Sequence, residues 1–250
     1  MVPDNIKIGT AGFSYKDWLG NFYPQFCPQA DFLRYYASRF STVELDSTFY
    51  RIPTEATIAK WAASTPDGFR FSAKFPRTVT HEGDTPARLE QAQYFVDIMR
   101  GLGGKLGALL LQFPYSFKPE SSGLLKSILD VLPKKDISVA VEVRNKAWLS
   151  DDFYAWLRKR NVALCLVEHP WMPRLSVQTA DFHYLRFLGD HKKISEDFSY
   201  VRRDCEDDLV FWGNLLQHLP GSPDAYTYFN NHYSGHAPST AIRLVEILGT

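Results

Sequence analysis

Val139-Ala140-Val141-Glu142-Val143-Arg144 reads as a β-strand, and the way it ends directs the reading of the whole chain. β-branched residues suit a pleated, buried backbone, and a run of this length is short for a helix. Alternation puts Val139, Val141 and Val143 on one face and Ala140, Glu142 and Arg144 on the other. A strand buried on both faces should stay apolar to its end, yet this one finishes in charge.

Seven more runs have the same character: 6–10, 42–46, 69–74, 107–112, 162–168, 182–187 and 225–230. Helical spacing fills most of the intervals, as with Leu89, Ala92, Phe95, Val96 and Met99. Thr85-Pro86 predicts a helix start, Ser150-Asp151-Asp152 another, and Pro238-Ser239 the last, with Gly249 just beyond it. Between the sixth and seventh strands, Pro170-Trp171-Met172-Pro173 reads as irregular loop. An alternation of short strands and helices predicts a single (β/α)8 TIM-type barrel with parallel strands, one domain over residues 1–250.

Composition narrows the function classes. Twenty-eight basic residues balance twenty-eight acidic ones, so the molecule as a whole does not attract nucleic acid or an anionic membrane by net charge. Cys27, Cys165 and Cys205 lack the spacing of a disulfide framework. The longest apolar stretch, around Leu109–Leu111, is too short to cross a bilayer, and the first strand starts too early for a cleavable signal. The expectation is a cytoplasmic protein with reduced thiols and no membrane partner.

In a barrel, the same strand parity turns Glu44, Asp46, Ser72, Lys74, Gln112, Glu142, Arg144, Tyr184, Arg186, Tyr228 and Asn230 inward, toward the C-terminal strand ends. Two accounts compete. The charges could neutralise one another as scaffold, at a desolvation cost that apolar layers would avoid. Alternatively they line a functional pocket, since barrel enzymes place their chemistry at that end.

The ordered motifs resemble a known family. Gly9-Thr10-Ala11-Gly12-Phe13-Ser14-Tyr15 with Trp18, Glu44-Leu45-Asp46-Ser47-Thr48-Phe49-Tyr50, Lys74-Phe75-Pro76-Arg77, Gln112-Phe113-Pro114, Glu142-Val143-Arg144 with Trp148, and Asn230-Asn231 with Gly235-His236-Ala237 are similar to the YecE-like family, domain of unknown function 72. The resemblance spans nearly the whole chain. It implies a barrel of the triosephosphate isomerase type, with a shape like that of endonuclease IV and the xylose isomerase-like group, and no assigned reaction. Glu168-His169-Pro170-Trp171-Met172-Pro173 and Leu188 depart from the family pattern.

Candidate roles follow from side-chain chemistry. Glu44, Asp46, Glu142, Glu168, His81, His169 and His232 are hard or imidazole donors that could hold zinc, manganese or magnesium. Lys74, Arg144 and Arg186 at matching levels would repel a metal cluster, so no metal site and no cofactor is expected, although the donors would accept a divalent ion. Anion binding suits these residues better: Arg144 and Arg186 as forks, Lys74 as a point charge, Gln112 and Asn230 as orienting amides. The loop Asn231-His232-Tyr233 runs toward a helix start, where free amides would face a phosphate. Tyr15 and Trp148 are candidate stacking platforms among many mouth aromatics.

The site expected from these readings has Glu44, Glu142 and Lys74 as catalytic groups. Asp46, Gln112, Arg144, Arg186, Asn230, Asn231, His232, Tyr15 and Trp148 would bind the ligand. The function expected is a polar, partly cationic pocket for a phosphorylated or nucleic-acid-derived ligand, with hydrolase-type acid–base chemistry. The alternative is a noncatalytic nucleotide or nucleic-acid binding protein. Weaker alternatives are a metal-dependent phosphodiesterase like endonuclease IV and a glycoside hydrolase, which needs two carboxylates set across a sugar bond.

Overall fold

The computed structural model describes residues 3–219 and 224–249. Its strands are β1 (Ile6–Thr10), β2 (Thr42–Leu45), β3 (Arg70–Lys74), β4 (Leu106–Gln112), β5 (Ser138–Glu142), β6 (Ala163–Glu168), β7 (Phe182–Phe187) and β8 (Asp224–Phe229). They form one eight-stranded sheet in the order β1-β8-β7-β6-β5-β4-β3-β2, and the registered pairs are parallel. A parallel bridge between Ala11 and Glu44 links β1 to β2, the two ends of that order. This is the strand arrangement of a (β/α)8 barrel of the TIM type.

The helices are α1 (Phe32–Ala37), α2 (Glu55–Ala63), α3 (Arg77–Thr80), α4 (Thr85–Met99), α5 (Ser122–Val131), α6 (Asp151–Arg158), α7 (Glu206–Gln217), α8 (Asn231–Ser234) and α9 (Ala237–Gly249). Among the described residues no helix separates β6 from β7, as the prolines there predict. Ser150 caps α6 by accepting from the Phe153 amide at 3.3 Å. At α4 the expected cap shifts by one residue: Asp84 accepts from the Ala87 amide at 3.0 Å, with Thr85 and Pro86 already inside the first turn. Gly249 closes α9 instead of following it.

Three polar residues read as strand lie just past strand ends. Asp46 opens a 3-10 turn, Asp46–Phe49. Arg144 follows β5, and Asn230 caps α8 by accepting from the His232 amide at 3.0 Å. Short polar side chains compete for backbone donors, which is why Asp and Asn favour such exits.

The chain packs as two compact units, described in turn. The first comprises Met1–Glu44, Leu166–Ser176 and Asp181–Thr250. Its β1–β2 seam is unusual. The Tyr36 hydroxyl, brought by α1, accepts from the Thr10 amide at 2.8 Å and donates to the Thr42 carbonyl at 3.0 Å, standing in for a ladder hydrogen bond. Gly9 makes room, because a Cβ there would sit 2.0 Å from the Thr42 oxygen. Trp18, Tyr23, Phe32 and Tyr36 are fully buried around this seam.

The second unit comprises Leu45–Cys165 and Val177–Ala180. Its register sets the polar ends in layers: Lys74 lies opposite Leu110, Leu110 opposite Ala140, and one layer on Gln112 lies opposite Glu142. Apolar strand interiors, Leu109, Leu110, Leu111, Ala140 and Val141, are completely buried beneath them. No helix among the described residues is long and apolar enough to cross a membrane.

Candidate functional site

The expected site residues divide between the two units. In the first, β2 delivers Glu44 and β7 delivers Tyr184 and Arg186. Arg186 donates from Nε at 3.0 Å and from Nη2 at 2.6 Å to Glu44 Oε1, while the Tyr184 hydroxyl donates to Oε2 at 2.6 Å. The Glu44 side chain is 0 % exposed and that of Arg186 2 %. Burial and the adjacent carboxylate hold the Tyr184 phenol well above its ordinary pKa, so it stays a proton donor. Both Glu44 oxygens are engaged, and both charges are withdrawn from solvent.

The β8 exit is bonded internally on one side only: among the described residues, Asn231 Nδ2 and His236 Nε2 are buried without a hydrogen-bond partner. Asn231 Oδ1 accepts from Trp18 Nε1 at 3.2 Å and from the Ala237 amide at 3.1 Å. His236 Nδ1 accepts from the Ser239 amide at 3.3 Å, and the Thr240 amide reaches the His236 carbonyl. The expected free amides at the start of α9 are therefore capped from within, because Pro238 has no N–H and its neighbours are bonded to Asn231 and His236. His232 Nδ1 lies 2.6 Å from the Ile194 carbonyl, which it can serve only as a donor. Tyr15 packs on Trp18 with ring centroids 4.7 Å apart and bonds the Ala11 carbonyl.

Glu168, a potential metal donor from sequence, is committed elsewhere. Arg174 Nε and Trp212 Nε1 donate to its Oε2 at 2.6 and 2.7 Å. Arg174 and Arg203 also pair with Asp208, which accepts from the Tyr233 hydroxyl at 2.9 Å. This network joins residues far apart in sequence and has no local signature. Among the described residues no three His, Cys, Asp or Glu side chains gather as a metal site.

In the second unit the polar ends of β3, β4 and β5 are less closed. The Glu142 side chain is 1 % exposed and accepts from Arg144 Nε at 2.9 Å, yet the Arg144 side chain remains 40 % exposed. Gln112 donates to the Phe113 carbonyl at 2.7 Å. Lys74 Nζ stands 3.9 Å over the Phe49 ring, whose centroid is 5.0 Å from that of His81. Burial first, and then Lys74, Arg144, Arg77 and Arg88, push His81 down to about 4. Burial, reinforced by these cations, keeps it neutral at pH 7.

Asn145 and Trp148 complete this unit's framework. Asn145 donates to the Tyr115 carbonyl at 3.2 Å and caps the Ala147 amide. Trp148 is buried, donates to the Phe117 carbonyl at 2.9 Å, and stacks on Phe117, which stacks on Phe113. Asp46, beside Ser47 in the 3-10 turn, is half-buried.

A family model described as "Protein of unknown function DUF72" matches residues 7–250. The chain belongs to this family. Within DUF72, it is 27 % identical over 97 % of its length to the UPF0759 protein YunF of Bacillus subtilis, covering 94 % of that protein. It is 34 % identical to the UPF0759 protein YecE of Escherichia coli over 45 % of this chain and 41 % of that one. The crystal structure of a DUF72 family protein from Thermotoga maritima superposes with a TM-score of 0.83 at 28 % identity, covering 98 % of this chain and 99 % of the other.

The buried histidines make acid stability predictable. Burial pushes His236 down to about 4 and lowers His183 as well, whereas an unfolded histidine titrates near 6.5. Between about pH 6.5 and 4 the unfolded chain therefore binds more protons, and stability falls as pH falls. Each fully shifted histidine contributes about 1.4 kcal/mol per pH unit in that window, and half-exposed His81 contributes less through solvent screening. Urea midpoints should drop from pH 7 to pH 5, with a shallower drop in His236→Gln. A midpoint independent of pH over that range would contradict the burial of these rings.

Proposed function

We propose that this DUF72 protein binds a phosphate-bearing ligand at the β3–β5 ends of its second unit, with Arg144 as the principal contact. The observation that carries this reading is the unequal use of the Arg144 guanidinium. Nε is spent on buried Glu142, and among the described residues neither Nη group has a protein partner. A carboxylate that fixes Nε while the outer fork faces solvent orients the guanidinium for a bidentate oxyanion. Lys74 and Arg88 share the neighbourhood of His81 with it, as does Arg77, which is paired with Glu82, so cations gather here on a chain of zero net charge.

Binding has more support than acid–base catalysis. Glu142 is buried with an oxygen committed to the Arg144 guanidinium, and His81 titrates well below neutral pH. In the first unit, Glu44 has both oxygens occupied. The noncatalytic alternative from sequence is thus the better supported of the two.

Calorimetric titration with pyrophosphate tests the reading. Wild type and Arg100→Gln, a surface control, should bind alike. Arg144→Gln should lose about ten- to a hundredfold in affinity, the equivalent of about 1.5 to 3 kcal/mol for one charged hydrogen-bonding partner. Arg144→Lys should fall between them. Equal affinity in wild type and Arg144→Gln, with both folded by circular dichroism, would remove Arg144 from the site.

A further inference from the structure

Tyr115 extends this cationic cluster in a way that names its ligand. Its side chain is on the surface, 68 % exposed, but its backbone is held by hydrogen bonds on either side. The Phe117 amide closes a turn on the Pro114 carbonyl at 3.0 Å, with Tyr115 in its centre, and the Phe113 amide bonds the Glu142 carbonyl at 3.0 Å. Phe113 and Phe117, which flank the turn in sequence, form a continuous stack with Trp148, with ring centroids 4.0 and 5.1 Å apart. Asn145, itself buried, reaches up to the Tyr115 carbonyl.

That last bond is informative because Asn145 follows Arg144 directly. The residue that holds the Tyr115 backbone is the chain neighbour of the guanidinium whose outer fork is unpartnered. A lone exposed tyrosine needs no explanation. A tyrosine on a pinned turn, its carbonyl bonded by the residue that follows Arg144, loses little entropy when a flat group stacks on it, since the backbone is already fixed.

Resting on the anion-site reading above, we infer that the ligand is a nucleoside phosphate, its phosphate on Arg144 and its base stacked on Tyr115. A tyrosine ring offers a base a π-face and a hydroxyl but no fixed hydrogen-bond code, so the preference should be for a base over none, with weak discrimination among bases.

Adenosine 5′-monophosphate and ribose 5-phosphate, titrated in parallel, separate the two readings. Wild type should bind the nucleotide about ten- to a hundredfold more tightly, the range expected for one base stacked on an aromatic ring. Tyr115→Ala should bring the nucleotide to the level of the sugar phosphate and leave the sugar phosphate unchanged. Tyr115→Phe should keep most of the difference. Folding is not at stake, because the ring is exposed and the anchoring bonds use backbone atoms. Equal binding of both compounds by wild type, or a nucleotide preference that survives Tyr115→Ala, overturns the base assignment while leaving the phosphate site standing. Failure of both compounds to bind overturns both.

Discussion

Arg186→Met is expected to destabilise the fold by about 3 to 5 kcal/mol, the cost of stranding a buried charge. Glu44 would keep its Tyr184 hydrogen bond but lose the two Arg186 donors that neutralise it. Glu44→Gln/Arg186→Met should recover most of the loss, because neither charge is then left alone. pH supplies a second signature. An unpaired buried carboxyl titrates above its unfolded value near 4.3, so its neutral form is favoured in the fold. The penalty in Arg186→Met should therefore be larger at pH 8 than at pH 5, opposite in direction to the histidine effect. Chemical denaturation of the single and double variants at both values measures this. A double variant no better than the single would show that Arg186 stabilises the fold by something other than neutralising Glu44.

Gly9→Ala should cost about 3 kcal/mol, the upper end of overpacking losses, or more. The new methyl would meet the Thr42 carbonyl oxygen at 2.0 Å and the Tyr36 hydroxyl at 2.8 Å. The first obstacle is backbone and cannot rotate away. β1 and β2 would have to part where the Tyr36 hydroxyl and the Ala11–Glu44 bridge already replace a regular ladder. Tyr36→Phe, which removes the bridging hydroxyl without adding bulk, should cost less, about 1 to 3 kcal/mol for the amide and carbonyl left unbonded. Thermal denaturation orders the three proteins, and a Gly9→Ala variant as stable as wild type would contradict the close approach.

The architecture was legible because the barrel repeats one local signal. Alternating apolar residues at Val139–Val143 and the unbroken run at Leu109–Leu111 mark strands without tertiary information. The face assignments of Glu44, Tyr184, Arg186 and Tyr228 followed from parity alone, and their mutual contacts agree with it. The partners were not legible. Glu44 and Arg186 are 142 positions apart, and nothing local says that they neutralise each other while Arg144 keeps part of its fork free. Asn231 and Pro238 show the same limit: a phosphate-binding turn and a self-capped one differ only in where one amide oxygen points. Tyr115 carries no signal in the sequence, because its significance lies in the Asn145 bond that ties its carbonyl to the residue after Arg144.

The central claim is that Arg144 presents its outer fork to a phosphate, and a crystal structure of the protein with pyrophosphate tests it most directly. The predicted result is a phosphoryl group bonded to both Nη atoms of Arg144, with Nε still on Glu142. Pyrophosphate bound only at the turn around Asn230 and His232, with Arg144 uninvolved, would contradict it.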